Sequence, residues 1–119
     1  MIERAAEGIC ACHPVPEFPF LQFTIWNEQM THITGYTLEV INRRGWYQTM
    51  YPDPENQRRA VQRMDEMRQG RDLLAEEWHV THASGQPRIL LMSTCRLEGV
   101  SGSGRGIALM TDITERRRR

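Results

Sequence analysis

The sequence predicts an α+β fold, a five-stranded antiparallel sheet with several short helices and one longer helix packed on one face. The first observation is the element order: two β-type segments, then helical segments, then three more β-type segments. The second is that hairpin-length connections join the last three, which favours antiparallel neighbours. The chain of 119 residues shows no repeat and no domain linker, so residues 1–119 are expected to form a single domain.

The N-terminal part predicts a β-hairpin with a long connection. Residues 2–7 are expected to form a short helix ending at Gly8, and "GICACH" follows as a first strand. Prolines then interrupt regular structure. "FLQFTIWN" alternates as a half-buried strand does, and its apolar face consists of Leu21, Phe23 and Ile25.

Three short helices come next, each bounded by capping residues. Asn27 is an N-cap for "EQMTHIT", which Gly35 ends. Thr37 caps "LEVINRR", which ends at Gly45, and "WYQTMY" stops at Pro52.

The longer helix is predicted over residues 54–69. Asp53 suits its N-cap and Pro54 its first position, and Gly70 terminates it. One apolar stripe recurs at helical spacing: Ala60, Val61, Met64 and Met67. On the exposed side, two ion pairs are expected, Glu55 with Arg59 and Asp65 with Arg68.

The C-terminal part predicts three strands. "LLAEEWHVTH" turns at residues 83–87 into "RILLMSTCRLE", and a loose "GVSGSG" leads to "RGIALMTDI". Asp112 is then expected to cap a new helix by accepting a hydrogen bond three residues on, with Glu115 reaching back as a capping box. The alternative is a solvated basic tail.

The charges and the cysteines limit the function classes. Fifteen acidic residues balance fifteen basic ones, all arginine, which argues against a domain-wide nucleic-acid surface. No apolar run approaches the ~20 residues of a membrane span, and no secretory signal is apparent. The odd cysteine count of three suggests free thiols in a reducing cytoplasm.

Four stretches together resemble the PAS family of sensor domains: "WNEQMTHITGYTLEVI", "GWYQTMYPD", "HASGQPRILLMSTCRL" and "GIALMTDITER". They occur in the family's order over about residues 8–116. The resemblance implies an N-terminal cap segment over 1–8, a PAS core over 9–113 and the start of a signalling helix over 114–119. It also implies that this helix continues towards an effector, such as a histidine kinase or a diguanylate cyclase. The expected signal-transmission residues are Asp112, Ile113, Thr114 and Glu115.

The resemblance leaves the cofactor unknown, because PAS domains bind haem, flavin, small acids, metals or nothing. Residues 54–69 contain no histidine that could ligate haem, and "CACH" falls one residue short of the covalent haem motif. A flavin photoadduct needs a cysteine in a specific motif, and the chain has neither that motif nor any cysteine between Cys12 and Cys95. Non-covalent flavin binding remains an alternative. A zinc site at Cys10, Cys12 and His13, completed by His79 or His82, is disfavoured because tight sites more often use Cys-x-x-Cys. No metal site is therefore predicted.

An apolar cavity between sheet and helices is the expected place for a small ligand. The candidate lining residues are Phe23, Ile25, Ile41, Trp46, Met50, Val61, Met64, Trp78, Met92 and Leu109. The alternative is that these residues simply fill the core. Asn42, Arg43 and Arg44 could meet a carboxylate or phosphate, but a solvated face is favoured. No catalytic constellation is apparent, so the domain alone is expected not to be an enzyme.

The functional hypothesis is a cytoplasmic PAS input domain of a bacterial signalling protein that senses a small ligand or cofactor state. Its expected partners are a second copy of the chain and an effector in the same parent protein, without nucleic acid or membrane insertion. Residues 2–7 and the outer face of the sheet are the expected dimer surfaces. The alternatives are a ligand-free dimerisation or interaction module and a small free-standing enzyme or carrier.

Overall fold

The computed structural model describes residues 7–96 and 106–117. The predictions of a helix over residues 2–7 and of the loose turn "GVSGSG" fall almost entirely outside these residues. The strands are β1 (Gly8–Pro14), β2 (Leu21–Trp26), β3 (Glu76–Thr81), β4 (Pro87–Arg96) and β5 (Gly106–Asp112). The helices are α1 (Glu28–Thr34), α2 (Leu38–Arg44), α3 (Trp46–Met50), α4 (Pro54–Arg68) and α5 (Thr114–Arg117). In the described part of the chain, no helix has both the length and the apolar character needed to cross a membrane.

The five strands form one antiparallel sheet in the order β2-β1-β5-β4-β3. The predicted α+β fold class is confirmed. The C-terminal strand β5 lies at the centre, where Leu109 pairs with Ile9 of β1 and Met110 pairs with Met92 of β4. The last strand therefore leaves the sheet from its middle and passes into α5.

The predicted starts of α1 to α4 and the predicted ends of α1 and α2 are confirmed, whereas α3 and α4 each end one residue earlier than predicted. Local capping groups define most of these boundaries. The Asn27 side-chain oxygen accepts a hydrogen bond from the Met30 amide at 3.0 Å, and also from the Ile9 amide of β1 at 3.0 Å. Asp53 accepts from the Asn56 amide at 3.0 Å, as an N-cap of α4 should. Gly35 has φ 82° and ends α1 in the left-handed conformation.

One predicted ion pair on α4 is wrong and the other is confirmed. Glu55 pairs with Arg58, one turn away, instead of Arg59. The Arg59 guanidinium lies 5.8 Å from the centre of the Trp78 ring, a contact that links α4 to β3. The second predicted pair, Asp65 with Arg68, forms at 2.8 Å.

A β-bulge in β2 changes which side chains reach the interior. Ala11 pairs with Ile25 while the next residue, Cys12, pairs with Phe23, so Thr24 is the extra residue. The alternation is therefore broken: Phe23 is buried, whereas Ile25 is 46% exposed. The next residue, Trp26, packs edge-on against Phe23 with ring centres 4.9 Å apart.

Strand β3 is shorter than predicted. It begins at Glu76 instead of Leu73, because Ala75 adopts a positive φ of 53° that interrupts the extended backbone. Leu73 is buried, and its backbone exchanges hydrogen bonds with Thr94 of β4: the Leu73 amide donates to the threonine hydroxyl at 2.8 Å, and the Thr94 amide donates to the Leu73 carbonyl at 3.0 Å. The segment before β3 is thereby held against the sheet.

Candidate functional site

A small apolar cavity of about 30 Å³ lies between the inner face of the sheet and helices α3 and α4. Its walls are mainly aromatic, aliphatic and sulfur-containing side chains, and Arg63 is the charged residue among them. The lining residues are Cys10, Cys12, Leu21, Phe23, Trp46, Tyr51, Ala60, Arg63, Met64, Leu73, Trp78, Met92, Thr94, Ala108 and Met110. A site of this kind favours an occupant that is small and weakly hydrated.

The structure brings half of the predicted lining residues to this cavity. Those that line it are Phe23, Trp46, Met64, Trp78 and Met92. Ile41 and Met50 are fully buried in the core but do not reach the cavity.

Three predicted lining residues are wrong, because their side chains are exposed. Ile25 is turned out by the bulge at Thr24. Val61 lies on the solvent flank of α4, next to the buried Ala60. Leu109 lies on the outer face of the sheet, because neighbouring strand residues point to opposite faces and Ala108 and Met110 face the cavity.

A chain of aromatic rings fills much of the space beside the cavity. Trp46 lies 5.5 Å from Phe23 and 6.2 Å from Tyr51, and Tyr51 lies 6.1 Å from Trp78, measured between ring centres. Ligand pockets for organic molecules usually enclose about 300–1,000 Å³. A flavin or a haem therefore does not fit these residues, and no histidine lines the cavity within the described residues.

Arg63 closes one wall of the cavity through a dense set of hydrogen bonds. Its guanidinium donates to the Glu76 carboxylate at 2.6 Å and to the backbone carbonyls of Arg71 and Asp72 at 2.9 and 3.2 Å. The Trp78 indole also donates to Glu76, at 3.3 Å. The hydrogen bond from Arg63 lowers the pKa of Glu76 and, reciprocally, raises the pKa of Arg63.

The Arg63–Glu76 pair predicts a specific acid sensitivity. A carboxyl with a lowered folded-state pKa stabilises the fold above its unfolded pKa of about 4.3, and this contribution is lost as the pH falls through the folded-state value. We expect Glu76→Gln to lower the free energy of unfolding by about 1 kcal/mol at pH 7, a modest value for a part-exposed pair. Urea denaturation from pH 7 to about pH 3 should show that the free energies of unfolding of the variant and of the unmodified chain become equal in acid. The exposed Glu55→Gln is the control, and a difference that stays constant into acid would contradict the assignment.

The two cavity thiols of β1 are protonated under ordinary conditions. Burial raises the pKa of Cys10 well above its usual value, and burial raises the pKa of Cys12 to about 11, although the charge of Arg68 partly opposes this. Among the described residues, no group of three or more His, Cys, Asp and Glu side chains could hold a metal ion. His79 is exposed, and the His82 ring lies 3.0 Å from the Ser84 hydroxyl, so neither completes a zinc site with the thiols.

Asn42 has a structural contact that the sequence analysis did not foresee. Its side-chain oxygen accepts from the Phe23 amide at 2.8 Å, and its amide nitrogen donates to the Phe23 carbonyl at 3.0 Å. The side chain thus satisfies the free edge of β2. Arg43 lies on the exposed surface 3.9 Å from Glu39, and the Arg44 guanidinium lies over the Tyr36 ring, as the favoured solvated face predicts.

The junction between β5 and α5 differs in detail from the predicted capping box. The Asp112 carboxylate accepts from the Thr114 amide at 2.9 Å and from the Thr114 hydroxyl at 2.5 Å, two residues on instead of three. The same carboxylate lies 3.4 Å from the Arg88 guanidinium of β4. Glu115 is exposed and makes no hydrogen bond within the described part of the chain. The carboxylate is therefore an anchor for the turn after β5, not one half of a reciprocal box.

Two further hydrogen bonds tie this junction to β4. The Ile113 amide donates to the Ile89 carbonyl at 2.9 Å, and the Ile89 amide donates to the Thr114 hydroxyl at 2.9 Å. Arg117 of α5 pairs with Glu77 of β3. Three of the four predicted transmission residues therefore hold the start of α5 against the sheet.

Comparison with known proteins agrees with this architecture. The sequence profile described as "PAS fold" matches residues 20–118. No curated protein sequence matches the chain. Among solved structures, a PAS domain from Colwellia psychrerythraea superposes with a TM-score of 0.70 at 13% identity, covering 92% of this chain and 87% of that one.

Light-oxygen-voltage (LOV) domains also superpose on the chain. The LOV domain of a blue-light activated histidine kinase from Erythrobacter litoralis gives a TM-score of 0.67 at 14% identity, covering 93% of this chain and 99% of that one. The LOV protein of Rhodobacter sphaeroides gives 0.67 at 19% identity, covering 93% of this chain and 61% of that one. The chain thus spans about three fifths of that LOV protein. At sequence identities this low, the similarity to these structures shows a shared fold and nothing more.

Proposed function

The chain belongs to the PAS fold family, and on that premise we propose that it is the sensory input domain of a bacterial signal-transduction protein. The domain would bind a small ligand in its cavity and would pass the resulting change to an effector through the helix that begins at Thr114. The domain alone would not be an enzyme. Its effector would lie in the same parent protein, in a cytoplasmic setting.

One observation carries this proposal: the same strand lines the cavity and leads into the exit helix. Ala108 and Met110 of β5 face the cavity, and the strand ends two residues later at Asp112. A ligand shifts an equilibrium only by binding two states unequally. The contact between the cavity and the central strand offers such a difference, because an occupant would press on β5 directly.

A histidine kinase is the proposed effector, and a second copy of the chain is the proposed partner. One structural neighbour is the LOV domain of a histidine kinase, which supports a kinase as the effector here. The outer face of the sheet exposes Ile9, Ile25 and Leu109, and Ile9 and Leu109 are cross-strand partners. We propose this face as the surface between two copies of the chain.

A ligand-free interaction module is the second candidate, and the small cavity favours it. A volume of about 30 Å³ is close to that of a single water molecule, so the core is nearly filled by its own side chains. Native mass spectrometry of the purified chain separates the two candidates. A retained ligand supports sensing, whereas a ligand-free dimer supports the interaction module.

The Asp112 junction provides the test of signal relay. In a chimera that places residues 1–119 before a histidine kinase, we expect Asp112→Ala to change autophosphorylation by about threefold or more. The loss of folding stability should be only about 1 kcal/mol, as for a lost cap. Asp53→Ala is the matched control, because it removes the N-cap of α4 without touching the junction. Equal kinase activities for both variants and the unmodified chimera would contradict the relay.

A further inference from the structure

Sulfur is unusually concentrated around the cavity. Two thiols, of Cys10 and Cys12, and three thioethers, of Met64, Met92 and Met110, all line it. Cys10 and Cys12 share one face of β1, Met92 and Met110 are direct cross-strand partners on β4 and β5, and Met64 comes from α4 above the sheet. Soft donor atoms therefore surround the same small space from four elements of the fold.

Small residues on β5 leave the room that this arrangement needs. Cys10 lies opposite Ala108 and Cys12 lies opposite Gly106, so no bulky side chain of the central strand separates the thiols from the cavity. The volume of about 30 Å³ accommodates one occupant of the size of a water molecule. An organic ligand is too large, but a single ion is not.

Thiolate and thioether ligands select soft monovalent copper over hard cations, which prefer oxygen ligands. Zinc sites use Cys, His and carboxylate ligands, and no group of three or more of these lies together among the described residues. We propose that the cavity binds a single copper(I) ion through the thiolate of Cys12 together with the thioethers of Met64, Met92 and Met110, with Cys10 beside the ion as a protonated thiol. This inference rests on the proposed sensory function and names the ligand class of its site.

The proton balance is consistent with a neutral site. On binding, a copper–sulfur bond forms, one thiol S–H bond breaks and its proton passes to water. One thiolate and one Cu(I) ion cancel in charge, and the neutral thioethers add donors without adding charge, which suits a dry cavity. Cys12 is the more accessible of the two thiols, so the thiolate is assigned to it. Affinity should therefore fall as the pH is lowered.

The experiment is a competition for Cu(I) under anaerobic, reducing conditions. The purified 119-residue chain is titrated into the chromogenic complex of Cu(I) with bicinchoninate, and loss of colour reports transfer. We expect one Cu(I) per chain, and an affinity lowered about tenfold or more in Cys12→Ser and in the double variant Met64→Leu/Met110→Leu. Met50→Leu is the matched control, because Met50 is a fully buried methionine that does not line the cavity. Cys95→Ser is the control for the exposed thiol.

Two results would overturn the proposal. One is a chain that takes no Cu(I) from bicinchoninate while circular dichroism shows it folded. The other is uptake that Cys95→Ser abolishes and Cys12→Ser leaves unchanged, since this would place the ion between copies at an exposed thiol. Copper binding is measured on the chain alone, without an effector. A negative copper result therefore does not affect the outcome of the Asp112 chimera experiment, and the two proposals are tested independently.

Discussion

Gly35→Ala is expected to destabilise the domain by about 3 kcal/mol, a large effect for the addition of one methyl group. Gly35 has φ 82°, where a side chain is strained. A Cβ at this position would also lie 2.6 Å from the Cβ of Ala83 and 2.8 Å from a carbon of the His82 ring. The turn after β3 cannot withdraw easily, because the Ala83 amide donates to the Thr34 carbonyl at 2.9 Å.

Gly85→Ala is the matched control that separates backbone strain from steric contact. Gly85 also has a positive φ, 91°, but nothing lies within 4 Å of its would-be Cβ. We expect this variant to lose only about 1 kcal/mol. Thermal and urea unfolding of both variants measure the difference. Equal losses at the two positions would show that packing of α1 against the turn after β3 is not what requires Gly35.

Trp46→Ala should have the largest effect among core substitutions, about 4 kcal/mol. The indole is 4% exposed and contacts the rings of Phe23, Trp26 and Tyr51 at centre distances of 5.5, 6.3 and 6.2 Å. Its removal joins a ring-sized void to the existing cavity. Leu74→Ala, at a side chain that is 80% exposed, should change stability by less than about 0.5 kcal/mol.

The same Trp46 variant tests whether the interior is a filled core. A dry apolar void binds a matching apolar molecule, so added indole should raise the melting temperature of Trp46→Ala but not of the unmodified chain. Failure of indole to stabilise the variant, with the fold intact by circular dichroism, would show that neighbouring side chains collapse into the space.

Helix caps were predictable because each depends on residues that are close in sequence. Asn27 and Met30 are three residues apart, and so are Asp53 and Asn56, so the residue types alone indicate the hydrogen bonds. The left-handed end of α1 at Gly35 is local in the same way. The order of elements follows from such local signals and from hairpin connections.

Only half of the residues that line the cavity could be predicted. Which face of the sheet a strand residue occupies depends on pairing with strands that are distant in the sequence. The bulge at Thr24 arises from the pairing of β2 with β1. It turns the Ile25 side chain outward and the Trp26 side chain towards Phe23. In β5 both faces are apolar, so alternation could not decide between Leu109 and Met110. Cys12 was not predicted to line the cavity, because its place there depends on the pairing of β1 with β5, which no local pattern indicates.

The polar contacts around the site were the least predictable part. Arg63 and Glu76 are separated by 13 positions, and Asn42 satisfies the backbone of Phe23 from 19 positions away. No local pattern links such residues. At the exit, the Asp112 cap was expected, but its tie to Arg88 depends on the pairing of β4 with β5.

The central claim is that β5 transmits changes in the cavity to α5, and amide hydrogen exchange at Ile113 tests it most directly. The Ile113 amide is held by the Ile89 carbonyl at 2.9 Å, and the Ile41 amide in α2 serves as an internal reference for global opening. Truncation of the cavity-facing Met110 to alanine should speed exchange at Ile113 relative to Ile41, whereas truncation of the outward-facing Leu109 should not. The same ratio in both variants would contradict transmission through this strand.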